Sequence, residues 1–208
     1  MSLGGTASYR DPARRGDLPD LVSSAVAAAE AVGFEFCVRP EIGRLLAALA
    51  GGVPPGGSIG ETGTGTGAGV AWMQSAAHPE TRIVSYELDE QRAAAAQRLF
   101  EDHHNIEIVC ADASELFGRG PFDLLVHDGG PGSGKHPSDE LVDPATVLTP
   151  GGTMTLDDVT PAVTWPPTFR GEPDEGRLRW LTHPQLCTTE IRVAADLAVL
   201  VARYLPSG

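Results

Sequence analysis

A glycine-rich stretch at residues 58–69 most limits what this chain can fold into. Five glycines occupy residues 60–69 and alternate with small hydroxyl side chains, so the stretch cannot form the interior of an ordinary helix or strand. It fits a tight turn between a strand and a helix, where the backbone approaches a ligand closely. The alternative, a flexible glycine and threonine linker, is disfavoured by the regular patterns on either side.

Strands and helices alternate through the rest of the chain. Short apolar or β-branched runs predict five strands, at residues 57–61, 82–87, 106–110, 122–128 and 153–156. Helical patterns predict three helices between them, at residues 69–77, 90–103 and 139–148. This alternation predicts an α/β fold with a Rossmann-like, doubly wound, mostly parallel sheet and helices on both faces. Two apolar runs, 188–193 and 197–204, have no helix between them and predict a C-terminal antiparallel hairpin.

The residues before the glycine stretch fall into two parts. Residues 1–19 are rich in Gly, Ser, Arg and Pro without periodicity, and we predict that they form a mobile arm. Residues 20–52 contain two helical patterns, one at 21–32 that Asp20 would cap and one that begins near Pro40. Because 208 residues suffice for one sizeable core, residues 20–208 are predicted to be a single domain, with a helical lead-in over 20–52 and a cofactor-binding core over 53–208.

The charge and the cysteine content exclude several classes of function. A formal net charge of −13 disfavours a nucleic-acid partner, because the phosphate backbone would be repelled. Cys37, Cys110 and Cys187 have no close spacing, so they predict neither a zinc site nor a disulfide framework. No apolar run reaches the length of about 18 residues that a membrane span needs. We therefore expect a cytoplasmic protein that acts on a small molecule, without a membrane or nucleic-acid partner.

Acidic residues follow the predicted strands, at the sheet edge where open parallel sheets bind ligands. Glu87 ends a strand about 20 residues after the glycine stretch, where nucleotide-binding sheets place an acid for the ribose hydroxyls. Asp112 and Ala113 end the next strand and would flank a base. Glu61 directly precedes the glycine turn and suits a ligand that carries an amine better than a pyrophosphate. This pattern disfavours a nicotinamide dinucleotide.

Three further acids end two strands that should be neighbours. Asp128 follows the fourth predicted strand, and Asp157 and Asp158 follow the fifth. Carboxylates that converge without a cation raise one another's pKa values, so a hard divalent ion such as Mg²⁺ or Ca²⁺ is the economical solution. In the alternative interpretation, Asp158 caps the following turn and Asp128 faces water.

A second glycine-rich run, from Gly129 to Lys135, matches the phosphate-loop pattern G-x-x-x-x-G-K. However, His136 stands where the pattern needs Ser or Thr for Mg²⁺, and Pro131 removes one donor N–H from the loop. A nucleotide hydrolase that uses this run is therefore the less favoured alternative.

Together these motifs resemble those of the class I S-adenosylmethionine-dependent methyltransferases, and more narrowly those of the catechol and caffeoyl-CoA O-methyltransferase group. The resemblance covers residues 36–204, including segment 36–43, which in the group leads into the first core helix and touches the cofactor. It implies a set of cofactor-binding residues: Val38, Glu61, Gly63, Thr64, Gly65, Thr66, Gly67, Glu87, Asp112, Ala113 and Asp128. It also implies that Asp128, Asp157 and Asp158 bind the metal.

Two differences from that group bear on catalysis. The group carries D-x-D-K at the fourth strand, with a lysine as general base, whereas the nearest lysine here is Lys135, on a glycine-rich loop. Asp158 stands where the group has Asn. The candidate catalytic residues are therefore Asp128 together with Lys135 or His136 as the base.

The predicted activity is methyl transfer from S-adenosylmethionine to a small hydroxylated acceptor, assisted by a divalent cation (Mg²⁺ or Ca²⁺). The alternatives are a metal-independent enzyme and a non-catalytic S-adenosylmethionine-binding protein. Because dimers are common in the group, a homodimer is one candidate assembly.

Overall fold

The alternating pattern forms one central sheet in the computed structural model, which describes residues 4–128, 130–136 and 138–206. The strands within these residues are β1 (Ser58–Thr62), β2 (Arg82–Glu87), β3 (Ile106–Cys110), β4 (Phe122–His127), β5 (Leu148–Val159), β6 (Thr168–Phe169), β7 (Glu172–Pro173), β8 (Leu186–Ala194) and β9 (Leu197–Tyr204). Seven of them form a sheet in the order β3-β2-β1-β4-β5-β9-β8. Strands β1 to β5 are parallel, while β9 and β8 form an antiparallel hairpin beside β5. The predicted fold class is confirmed, including the C-terminal hairpin.

Helices cover both faces of this sheet. They are α1 (Gly5–Ser8), α2 (Pro12–Arg15), α3 (Asp20–Ala31), α4 (Pro40–Ala50), α5 (Ala68–Gln74), α6 (Glu90–Leu99), α7 (Pro144–Val147) and α8 (Glu175–Leu181), with a 3₁₀ segment at Ala113–Arg119. Successive residues of β4 divide between two cores because side chains alternate along a strand. Leu124 and Val126 pack with α3, α4 and α5, whereas Leu125 packs with Trp180 of α8 on the opposite face.

The strand order places the binding crevice. From β1 the chain adds β2 and β3 on one side, and β4 and β5 on the other. In open α/β sheets the ligand lies outside the carboxyl ends of the strands, at the point where the order reverses. That point is between β1 and β4, where the glycine turn after β1 meets the strand that ends before Asp128. The acids predicted from the sequence therefore lie around one crevice.

The structure corrects the prediction of a mobile N-terminal arm. Within residues 4–19, α1 and α2 are helical and Tyr9 is only 3% exposed. The Tyr9 hydroxyl donates a hydrogen bond to the Val38 carbonyl at 2.7 Å and accepts one from Trp72 Nε1 at 2.9 Å. These contacts are made with residues far along the chain, so no local periodicity indicates them. Residues 1–3 of the predicted arm, like Gly129 of the predicted phosphate loop, lie outside the described residues.

Several predicted helix boundaries are wrong. The helix predicted at 139–148 is reduced to α7, which Asp143 caps, and residues 148–152 already belong to β5. The helix after Asp89 ends at Leu99, and Asp20 lies within the first turn of α3 and does not cap it. Helix α8 has no counterpart in the predicted pattern. Among the described residues, no helix is long and apolar enough to cross a membrane.

Candidate active site

The glycine turn after β1 wraps around the ends of β2 and β4. Gly63 and Gly65 both have left-handed backbones, with φ of 85° and 56°, which favour glycine. A Cβ at Gly63 would lie 2.7 Å from the carbonyl oxygen of Asp128, and one at Gly65 would lie 2.8 Å from the Phe34 ring. Because these two residues have no side chain, their backbone atoms line a cavity of about 190 Å³ directly.

Ten of the eleven predicted cofactor residues line this cavity. Gly67 does not line it: it precedes α5 with a φ of 96°, and a Cβ there would lie 2.7 Å from the Phe100 ring. The missing side chain at Gly67 lets the start of α5 pack closely against α6 and against Phe100, the residue that follows α6. Asp112 is exposed at the rim, where its carboxylate accepts hydrogen bonds from the backbone N–H and the hydroxyl of Ser114, at 2.8 and 2.6 Å.

Glu61 is a strongly perturbed acid of the cavity. Its side chain is buried at the end of β1, and burial, together with the nearby carboxyl groups of Asp157 and Glu87, raises its pKa from 4.5 to about 8. The hydroxyl of Ser85 opposes this rise by donating a hydrogen bond of 2.5 Å to Glu61 Oε2. A Cβ at Gly69 would lie 2.1 Å from Oε1, so glycine is needed beside the carboxyl group. A ligand with a positive charge would stabilise the ionised form of this buried carboxyl group, so the site is suited to such a ligand.

Glu87 is held by three donors at the end of β2. The backbone N–H of Gly65 donates to Oε2 at 2.8 Å, while the N–H of Asp89 and the guanidinium of Arg92 donate to Oε1 at 2.9 and 2.8 Å. Arg92 also lies over the ring of Phe34, 5.2 Å from its centroid. Each carboxylate oxygen accepts about two hydrogen bonds, so Oε1 is saturated and Oε2 keeps room for one more.

The three predicted metal ligands converge. Oxygens of Asp128, Asp157 and Asp158 all lie within 4.8 Å of one another. Adjacent residues of a strand normally point to opposite faces, but Asp158 has a φ of 55° at a register shift between β5 and β9, which brings both carboxylates to one place. Such strain in a residue other than glycine is typical of functional sites.

Burial and mutual repulsion perturb these carboxyl groups. Burial, with the nearby carboxylates of Asp158 and Glu61, raises the pKa of Asp128 to about 7. Burial, followed by Asp128 and Asp158, raises the pKa of Asp157 well above its ordinary value. Asp157 is 5% exposed, and its Oδ1 has no hydrogen-bond partner among the residues that the structure describes. An all-oxygen set with an unpartnered buried atom fits a hard cation.

A known protein family matches the part of the chain that contains the crevice. Residues 61–159, from Glu61 to the end of β5, match the family described as a methyltransferase domain (Methyltransf_24). The chain carries a methyltransferase domain. No curated protein sequence matches the chain significantly.

Solved methyltransferases share the fold along nearly the whole chain. The O-methyltransferase TomG from Streptomyces achromogenes, solved in complex with S-adenosylmethionine, is 19% identical with a TM-score of 0.71, over 99% of this chain and 100% of its own. The O-methyltransferase from Bacillus cereus, solved with S-adenosylhomocysteine, is 17% identical with a TM-score of 0.69, over 96% and 98%. A methyltransferase from Geobacter sulfurreducens is 20% identical with a TM-score of 0.69, over 91% and 92%. The predicted resemblance to the class I methyltransferases is confirmed.

In this methyltransferase, Lys135 and His136 occupy different surroundings. The Lys135 amine donates a hydrogen bond of 3.1 Å to the carbonyl oxygen of Asp157. Lys135 also lines a second cavity, of about 160 Å³, together with Asp158 and Phe169. Both residues are exposed, but the His136 ring is hydrogen-bonded through Nδ1 to the Ser138 hydroxyl at 2.7 Å. Of the two predicted bases, the structure brings only Lys135 to the acids.

The hydrogen-bond donors of the predicted phosphate loop are occupied by a side chain of the methyltransferase itself. The carboxylate of Asp139 accepts hydrogen bonds from the backbone N–H groups of Gly132 and Gly134 and from the hydroxyl of Ser133, at 2.8 to 2.9 Å. These donors are the ones that a bound phosphate would need. The geometry therefore disfavours the nucleotide-hydrolase interpretation of this run.

Sequence reasoning missed several residues of the cavities. Arg92 lies one turn into α6, and its spacing of five residues from Glu87 could have suggested the ion pair across the start of that helix. Phe34 lines the first cavity and Arg177 lines the second, whereas Phe36, which also lines the first, belongs to segment 36–43 that was predicted to touch the cofactor. Phe34 and Arg177 carry no motif, because only the tertiary fold brings the loop of Phe34 and helix α8 to the crevice.

Proposed function

We propose that this methyltransferase transfers the methyl group of S-adenosylmethionine to a hydroxyl oxygen of a small acceptor, with the help of a divalent cation. One observation carries the proposal: the carboxylate cluster lies between the two cavities. Asp128 lines the first cavity, Asp158 lines the second, and both belong to the cluster that spans 4.8 Å. The candidate metal ligands thus connect the cavity proposed for the cofactor with the cavity proposed for the acceptor.

The lining of the first cavity fits S-adenosylmethionine. The buried carboxyl of Glu61 would hold the ammonium of the methionine part, since a nearby positive charge favours the ionised form of a buried acid. Glu87 would accept hydrogen bonds from the ribose hydroxyls, for which Oε2 has an open position beside its bond to Gly65. Asp112 and Ala113, which line the same cavity, would flank the base.

The acids and Lys135 would serve the acceptor. When bound, S-adenosylmethionine supplies an electrophilic methyl group and the cation lowers the pKa of a hydroxyl group. Asp128, Asp157 and Asp158 would hold the cation, with one more negative charge than a set with Asn in place of Asp158. Lys135, in its neutral form, would take the proton of the acceptor hydroxyl, since its amine lies beside Asp157 and lines the second cavity.

The proposal is tested by calorimetry and by transfer assays. We expect S-adenosylhomocysteine to bind with or without Mg²⁺ or Ca²⁺, because the first cavity forms without the cation. We expect methyl transfer to a panel of catechols and single phenols to need the cation, to stop in EDTA, and to be lost in Asp157→Ala. ATP with Mg²⁺ should not raise the melting temperature.

Each alternative has its own signature in these assays. Activity that survives both EDTA and Asp157→Ala would indicate a metal-independent enzyme. Binding of S-adenosylhomocysteine without transfer to any acceptor of the panel would indicate a non-catalytic binder. Light scattering during gel filtration measures whether the protein is a monomer or the candidate homodimer.

A further inference from the structure

Lys135 reaches the acids from an unfavourable place in the chain. It is the only lysine in the sequence, and it follows Gly130, Gly132 and Gly134 in a loop. Glycine has the most conformational freedom to lose, so ordering such a loop costs more entropy than ordering a helix or strand. Nevertheless the Lys135 amine lies 3.1 Å from the Asp157 carbonyl oxygen. Contacts elsewhere must hold the loop in this conformation.

Asp139 supplies the first set of these contacts. Its Oδ1 accepts a hydrogen bond from Gly132 N–H at 2.8 Å, and its Oδ2 accepts from the Ser133 hydroxyl and from Gly134 N–H, both at 2.9 Å. Hydrogen bonds to an ionised carboxylate are about twice as strong as those between neutral groups. One side chain thus fixes the three residues that precede Lys135.

Helix α8 supplies the second set. The fully buried indole of Trp180 donates a hydrogen bond from Nε1 to the Ser133 carbonyl oxygen at 2.7 Å. At Gly176 the helix approaches the loop so closely that a Cβ would lie 2.6 Å from the Lys135 carbonyl oxygen. The absence of a side chain at Gly176 therefore allows the backbone of Lys135 to rest against α8.

We propose that Asp139 is a positioning residue that, with α8 at Gly176, holds Lys135 at the acceptor cavity as the base for methyl transfer. The catalytic part of this inference rests on the proposed function. The positioning part concerns only the conformation of the loop, so it is testable without any acceptor. It explains how a lysine displaced along the sequence still serves the site.

Two variants release the loop by different means. Asp139→Asn keeps the size of the side chain but replaces one acceptor oxygen by a donor, so at least one of the three hydrogen bonds is lost. Gly176→Ala leaves Asp139 intact and pushes the backbone of Lys135 away from α8. Gly118→Ala is the matched control, because Gly118 lies in the 3₁₀ segment and a Cβ there has nothing within 4 Å. Circular dichroism checks that all three proteins fold.

The first readout is the ¹³C signal of Lys135 after reductive methylation with labelled formaldehyde. The single lysine gives one side-chain signal, and the terminal amine is distinguished by its chemical shift. We expect the signal of the wild type and of Gly118→Ala to be shifted from that of a free peptide, and the signal of both loop variants to move towards the free position and sharpen. Signals that stay unchanged in folded Asp139→Asn and Gly176→Ala would overturn the proposal.

The second readout separates the two hypotheses. We expect Asp139→Asn to lower kcat about tenfold, the factor for one lost charge-assisted hydrogen bond. Gly176→Ala should lower kcat as well, because it displaces the backbone of Lys135, and both variants should keep an unchanged affinity for S-adenosylhomocysteine. A wild type that binds the cofactor product but transfers no methyl group would refute the proposed function, while the lysine signal would still decide the positioning. A lysine signal that moves without any change in kcat would show that Lys135 is held but is not the base, which overturns the catalytic part.

Discussion

Glu61→Gln is expected to change how the stability of this protein depends on pH. Burial raises the pKa of Glu61 to about 8 in the folded chain, whereas the unfolded chain has the ordinary value of 4.5. Below pH 4.5 both forms carry the proton, and the neutral buried carboxyl contributes its full stability. As the pH rises towards 8, only the unfolded chain gains the favourable hydrated charge, so the free energy of unfolding falls until the folded carboxyl also ionises.

The size of the effect follows from the two pKa values. The difference between 8 and 4.5, at about 1.36 kcal/mol per pKa unit, is about 5 kcal/mol of unfolding free energy lost over that interval. Glutamine stays neutral at every pH and still offers an acceptor oxygen to Ser85. We therefore expect the variant to gain about 5 kcal/mol relative to the wild type between pH 4.5 and 8.

Urea denaturation in EDTA, at whole pH values from 5 to 9, measures this difference directly. Because Asp128 and Asp157 titrate in both proteins, only the difference between the two curves reports on Glu61. Glu101→Gln is the control, since Glu101 is exposed on the surface. If the Glu61→Gln curve stays parallel to that of the wild type from pH 5 to pH 8, Glu61 has an ordinary pKa and the reasoning from burial is wrong.

The same pKa predicts a proton release when a ligand with an ammonium group binds. A group with a pKa of about 8 is roughly nine-tenths protonated at pH 7. If the ammonium of S-adenosylhomocysteine pairs with Glu61, binding to the metal-free protein at pH 7 should release about one proton per site. Calorimetry in phosphate and in Tris measures this number from the difference in binding enthalpy, and Glu61→Gln should release none. An equal release in both proteins would place the ammonium elsewhere.

Three further substitutions test the two cavities. Glu87→Gln should weaken the binding of S-adenosylhomocysteine about 10- to 100-fold in calorimetry, because a hydrogen bond to a charged group contributes about 1.5–3 kcal/mol. An unchanged affinity would show that Glu87 does not bind the ribose. Arg92→Met should raise the affinity for the same ligand about two- to fivefold, since it frees Oε1 of Glu87 from a partly exposed ion pair. Weaker binding would show that Arg92 itself contacts the cofactor. Asp157→Asn should abolish the stimulation of methyl transfer by Mg²⁺. It should also raise the melting temperature in EDTA at pH 8, because one buried carboxylate is removed. A lower melting temperature would show that the cluster stabilises the fold without a cation.

Much of the fold followed from local patterns. The bounds of β2 and β3 coincide with the predicted 82–87 and 106–110, since the apolar β-branched runs there are bordered by turn residues. The prediction of a helix at 139–148 is wrong because the Asp139 carboxylate accepts hydrogen bonds from the backbone N–H groups of Gly132 and Gly134, in the loop before it. The arm at residues 4–19 failed because its contacts, such as the one between Tyr9 and Val38, join residues far apart in the chain. The contact between Tyr9 and Val38 spans 29 positions, which lies beyond the few turns that a local pattern covers.

By itself the sequence determined which chemical groups the crevice contains. Only glycine tolerates the left-handed turn after β1, and acids at strand ends must meet at one edge of a parallel sheet, so Glu61, Glu87 and the three aspartates followed from pattern alone. The tertiary structure decided how those groups are used. It set the pKa of Glu61 through burial, occupied Oε1 of Glu87 with Arg92, and brought the amine of Lys135 to the acids, because burial and long-range contacts depend on which surfaces fold against one another.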